Sequence, residues 1–187
     1  MKRQLIVLVG LPGAGKTRWA RKEMYMPETF LYSWVDVLKH MCSPQTDPVS
    51  NGYAEGLSAM LYALVRDLSK MTTRLIVDAT NHTQSMRQKM IAIGVDSGRE
   101  VICEMFDVPK DLCEIRSKLS ETKGGRLIFD RIASTWQDVI PEEGFREVHY
   151  HHGRSSDVEA VKRAVNRVKA KKGTLLERLT RVITRND

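Results

Sequence analysis

The sequence predicts an α/β fold, a central parallel sheet with helices on both faces, extended by a basic helical tail. Short, β-branched apolar runs at 5–9, 30–33, 75–77 and 101–106, with a further candidate at 146–150, read as strands. Stretches with apolar residues at helical spacing separate them. Strands alternating with helices over this length fold into a parallel sheet wrapped on both sides. The 187 residues suffice for one domain that buries about 70% of its unfolded surface without staples.

The first strand runs straight into Gly10-Leu11-Pro12-Gly13-Ala14-Gly15-Lys16-Thr17, and a helix opens at Thr17-Arg18-Trp19-Ala20. Strand, glycine-rich loop, Lys-Thr and helix in this order form a phosphate-binding turn. Gly10, Gly13 and Gly15 let backbone N–H groups converge on phosphate oxygens, with Pro12 and Ala14 completing the loop. The helix dipole points at the same place. Lys16 is placed to reach the β- and γ-phosphates and Thr17 to hold Mg²⁺. The chain is therefore expected to bind ATP with Mg²⁺.

Further along, 35–40 turns helical after the second strand, 43–52 is a loop, and 53–70 is a helix. Leu57, Met60, Leu61, Leu64 and Leu68 give that helix a core-facing stripe. The third strand ends in Asp78-Ala79-Thr80-Asn81, and a helix over 85–93 follows. After the fourth strand come a helix through Leu119, a polar hinge at 120–126, a helix over 128–139 and the turn Pro141-Glu142-Glu143-Gly144-Phe145. Residues 1–150 form the body. The extension 151–187 holds two helices with capping-box starts, at Ser156 and Thr174, separated by Gly173.

The net charge of +7 is uneven: ten Lys/Arg against four Asp/Glu put +6 on residues 151–187. Such a tail suits either a solvated helical face or a grip on nucleic acid. No run approaches the roughly 18 apolar residues of a membrane helix. Met1-Lys2-Arg3-Gln4 leaves no room for a signal peptide. Cys42, Cys103 and Cys113 are odd in number and lack metal spacing, as expected of reduced thiols in the cytoplasm. His149-Tyr150-His151-His152 reads as rim or surface histidines, not as a metal site.

Three features fit phosphoryl transfer. Asp36 follows the second strand, where ligands bind in open α/β sheets, and a carboxylate there could take the acceptor hydroxyl's proton. A helix-start aspartate is an equal reading. Asp78 closes the third strand and could hold Mg²⁺ or its waters; Ala79 follows it, not the water-activating acid usual in motor ATPases. An arginine of the Arg116 to Arg126 region, on a helix beside a glycine hinge, could close over ATP; a surface helix arginine is the competing reading.

The loop followed by Trp19-Ala20-Arg21, with Asp36, Asp78-Ala79-Thr80-Asn81 and Arg87, Phe106-Asp107-Val108-Pro109 with Arg116, and the turn at 141–145, resembles the kinase domain of phage polynucleotide kinase and related short P-loop kinases. The resemblance covers about residues 1–150. It implies a P-loop kinase fold, Asp36 as general base, Lys16 and Thr17 at the phosphates, and Arg116 on a lid. Arg126 is the expected second lid arginine, ahead of Lys118 and Lys123.

The resemblance also implies a nucleic-acid acceptor, bound through Lys39, Asn81 and Arg87, and a cytoplasmic protein, in a bacterial host if phage-encoded. Trp34, next to the candidate base, either stacks on an acceptor base or is a buried core tryptophan. No obligate protein partner is evident. Two departures touch the acceptor side: Lys39 and Ala79 stand where the phage enzyme has an arginine and an aspartate. The acceptor is accordingly either a polynucleotide 5′-hydroxyl or the hydroxymethyl group of a modified pyrimidine in DNA. A small-molecule kinase and a nucleotide-dependent switch are the competing readings.

Overall fold

The computed structural model describes residues 2–41, 53–119, 125–153 and Arg163. The expected loop at 43–52, Lys123 and most of the hinge, and the two tail helices lie outside them. Five strands, β1 (Gln4–Val9), β2 (Thr29–Ser33), β3 (Arg74–Asp78), β4 (Glu100–Met105) and β5 (Glu147–Tyr150), form one sheet in the order β2-β3-β1-β4-β5. Every neighbouring pair is parallel. β1 is central, so its residues alternate between two buried faces, and a continuous apolar run is what such a strand needs.

On one face, Ile6 and Leu8 pack with Ala14 and with Ala20 of α1 (Lys16–Glu23), Cys113 of α5 (Lys110–Leu119) and Phe129 of α6 (Gly125–Ser134). On the other, Leu5, Val7 and Val9 pack with Leu61 and Val65 of α3 (Tyr53–Met71) and with Met90 and Ile93 of α4 (Gln84–Asp96). The short α2 (Trp34–Met41) adds Trp34 and Val37 to this second layer. Thr83 caps α4 by accepting from the Met86 N–H.

Two expectations need correction. The helix expected over 128–139 ends at Ser134. Beyond it the chain runs irregularly because its backbone groups bond elsewhere: Gln137 N–H donates to the His82 carbonyl, and Arg87 takes the Gln137 and Asp138 carbonyls. The stripe on α3 is also narrower than expected. Leu61 and Val65 are buried, whereas Met60 and Leu64 remain 36% and 39% exposed.

Among the described residues no helix is long and apolar enough to cross a membrane. Cys103 and Cys113 are buried free thiols, and burial pushes them up to about 12 and about 11, which keeps both protonated at neutral pH.

Candidate nucleotide and acceptor site

The loop between β1 and α1 sits at the carboxyl end of the central strand, with β3 and β4 on either side. Gly13 has φ 85°, and a Cβ there would collide with the Cys113 carbonyl of α5. Gly10 is also tight, a Cβ there lying 2.9 Å from the Phe106 Cβ. These glycines let the loop pass between α5 and β4. Gly15 precedes α1 in the left-handed region and offers no side-chain cap, so the first-turn N–H groups are left for an anion. Ala14 buries its methyl under the loop.

Lys16 is only 7% exposed, and its ammonium donates to the Gly10 and Leu11 carbonyls at 2.7 and 2.9 Å. Burial lowers its pKa to about 8, with the Asp78 charge opposing the shift. Because the cation is the phosphate-binding form, nucleotide affinity should be level from pH 6 to 7.5 and weaken as pH rises through about 8. Calorimetric titration of ATP across that range checks this; unchanged affinity up to pH 9 contradicts it.

Thr17 Oγ1 donates to Asp78 Oδ2 at 2.7 Å, and Ser33 donates to the same oxygen at 3.4 Å. Asp78 is 2% exposed, and burial raises its pKa against the pull of Thr17 and Lys16. A hydroxyl and a carboxylate in contact beside a phosphate loop suit Mg²⁺, which takes few protein oxygens and completes its shell with phosphates and water. These residues fit the ion.

Ser33 also accepts the Asp36 N–H at 3.4 Å, which fixes the start of α2 and places Asp36 in its first turn. Both Asp36 oxygens accept from Arg21 of α1 at 3.3 Å. An exposed pair of this kind contributes under about 1 kcal/mol, so its effect is to orient the carboxylate. The sequence marks Arg21 only as part of the helix opening. Its position about one turn beyond Thr17 on the same helix was the available signal.

The proposed acceptor residues divide. Lys39 lies on α2 one turn beyond Asp36, and Trp34 is half-buried against the core. Asn81 and Arg87 do not face an acceptor. Asn81, at φ 42°, donates its amide to the Leu8 carbonyl at 2.8 Å and is 3% exposed. Arg87 is fully buried: it pairs with Glu143 through two 2.7 Å bonds and also donates to the Asn81, Gln137 and Asp138 carbonyls. All five donors are used, so both residues brace the 78–81 segment. That segment in turn holds the phosphate loop, since the Gly10 N–H donates to the Thr80 carbonyl.

Arg116 lies on α5, its Cβ 3.2 Å from where a Cβ at Gly13 would stand; Arg126 is the second residue of α6. α5 thus carries Arg116 directly past the loop. The histidines of the 149–152 run are held by carboxylates. Glu104 receives His149 at 3.0 Å and His151 at 2.6 Å, and His152 meets Asp107 at 3.0 Å. The bond to Glu104 raises the His149 pKa.

A family model for an AAA domain, AAA_33, matches residues 5–134. The chain belongs to the AAA_33 family. No curated protein matches it. Among solved structures, this AAA_33 chain is similar to a putative kinase from Chloroflexus aurantiacus, with 14% identity over 89% of this chain and 98% of that one and a TM-score of 0.62. It is similar to the Mycobacterium tuberculosis APS kinase CysC in complex with AMPPNP and APS, at 16% identity, 90% and 98% coverage and a TM-score of 0.59. It is also similar to a chain of the Pnkp1/Rnl/Hen1 RNA repair complex, at 21% identity, 73% and 47% coverage and a TM-score of 0.54. At these identities the likeness is one of fold, and the fold is that of the P-loop kinases.

Proposed function

We propose that this AAA_33 chain is a kinase that moves the γ-phosphoryl group of ATP to a hydroxyl on nucleic acid. The observation that carries the reading is the meeting of Thr17 with Asp78 at the phosphate loop, with Asp36 held by Arg21 across the end of the sheet. Backbone N–H groups and Lys16 hold the phosphates. The Asp36 carboxylate accepts the acceptor's proton as its oxygen attacks the γ-phosphorus; the bond to the β–γ bridging oxygen breaks and ADP leaves. Thr17 and Asp78 hold Mg²⁺, which supplies charge neutralisation at the phosphates when bound. Arg116, with Arg126, closes from the α5–α6 side. The acceptor is a polynucleotide 5′-hydroxyl or the hydroxymethyl group of a modified pyrimidine, and the +6 tail adds affinity for the polyanion.

A second reading, a small-molecule kinase, draws support from the burial of Asn81 and Arg87, which leaves Lys39 as the acceptor residue carried by the resemblance. Phosphorylation of free nucleosides or sugars in preference to oligonucleotides would mark it.

Asp36→Asn tests the mechanism. Transfer to a nucleic-acid hydroxyl should drop about 10²–10⁴-fold, the usual worth of a general base, with the ATP dissociation constant unchanged. Single-turnover transfer and ATP titration read the two effects separately. A switch or binding module would instead leave Asp36→Asn silent.

A further inference from the structure

We propose that the outer face of α1 and the groove beside it form a docking surface for single-stranded nucleic acid, which leads the acceptor strand away from Asp36. The inference rests on the nucleic-acid kinase reading above. Arg18, Arg21, Lys22 and Tyr25 follow one another at intervals of three, one and three residues, so they share one face of α1 and the helical turn that continues it to Met26. All four are exposed, Tyr25 by 86%. The stripe starts beside Thr17, passes the candidate base where Arg21 meets Asp36, and ends on an open aromatic ring.

A merely solvated helix face would pair its cations with acids one turn away. Here the acid on α1, Glu23, is taken by Arg74 of β3 at 2.9 Å. Arg18 and Lys22 make no ion pair with any described residue. Two cations are thus available to phosphates at the spacing of a helical turn.

Beside the stripe lies a groove of about 720 Å³, along the edge strand β2 and between α1, α2 and α3. Met24, Tyr25, Val37, Met41, Met60 and Leu64 line it, together with Arg21 and Asp36. Met60 and Leu64 are the α3 side chains left partly exposed, and the methionines beside them reshape easily around a flat ligand. Tyr32 stands in the wall, and its buried hydroxyl has no hydrogen-bond partner among the described residues. An unpaired buried hydroxyl is uncommon. Cations in line with an aromatic, above an apolar slot, suit a strand whose phosphates follow the stripe and whose base stacks at Tyr25. An apolar peptide would fill the slot but leave the cations without partners.

The test uses the full chain, with Lys22→Gln, Tyr25→Ala and their combination. The probe is a fluorescein-labelled octamer with a free 5′-hydroxyl and one 5-hydroxymethyluracil. Binding is read by anisotropy across a salt series, and transfer from ATP is read on the octamer and on a mononucleotide. Tyr25→Ala should raise the octamer KM about tenfold and leave kcat and the mononucleotide KM within twofold. Lys22→Gln should lower the salt slope of binding by about 0.7. Melting temperatures should stay at the wild-type value, since both side chains are exposed.

If the wild type labels the octamer and the variants match it in KM and slope, the surface is wrong and the kinase reading stands. If the variants weaken octamer binding but the wild type labels no nucleic acid, the surface stands and the acceptor reading is wrong. An octamer neither bound nor labelled overturns both.

Discussion

Replacing Glu143 by alanine should destabilise the protein by about 3–5 kcal/mol, the usual cost of leaving one member of a buried ion pair alone. Both side chains of the Arg87–Glu143 pair are 0% exposed, so water cannot replace the lost carboxylate. Glu143 also accepts the Ile140 N–H at 3.2 Å, which ties the turn after the irregular stretch to the same pair. At a few degrees per kcal/mol, the melting temperature should drop by about 6–20 °C. Converting Arg87 to methionine and Glu143 to leucine together should recover part of that loss by removing both charges. Recovery stays incomplete, because the Asn81, Gln137 and Asp138 carbonyls lose their donor. Denaturant unfolding of Glu143→Ala and of the double variant reads both effects; a Glu143→Ala variant within about 1 kcal/mol of wild type contradicts this account.

Lys16→Met should separate stability from function. Removing a positioned donor to developing charge costs on the order of 10²–10³ in rate, and ATP binding should weaken with it. Stability should hold or rise. The wild-type ammonium is buried, and that burial lowers its pKa to about 8, so folding opposes the charge that the phosphates need. Thermal unfolding without nucleotide and single-turnover transfer with it provide the two readings. A variant that melts well below wild type would mean that the bonds from Lys16 to Gly10 and Leu11 outweigh its desolvation.

The phosphate loop was legible because its chemistry is local: eight consecutive residues fix the turn, the cation and the hydroxyl. Asp78 and Asp36 were legible as positions, one closing an apolar run that had to be a strand and the other just beyond one. What the sequence hid was pairing across distance. Arg87 and Glu143 lie 56 residues apart, and nothing near either one announces the other, so the motif around Asn81 and Arg87 read as acceptor chemistry when its work is bracing. The same arginine explains the overlong helix prediction, since apolar spacing continues past Ser134 while the carbonyls bond elsewhere. Arg21 was hidden differently. Its role depends on α1 and α2 meeting beyond the sheet edge, a matter of topology.

Transfer of radiolabel from ATP in the presence of Mg²⁺ to two matched DNA duplexes tests the central claim most directly. One duplex has free 5′-hydroxyl ends; the other has blocked ends and internal 5-hydroxymethylpyrimidines. The account predicts label on one of them, lost in Asp36→Asn, and which one decides the acceptor. Label on neither, with ATP still bound, contradicts the nucleic-acid kinase and leaves the small-molecule reading in its place.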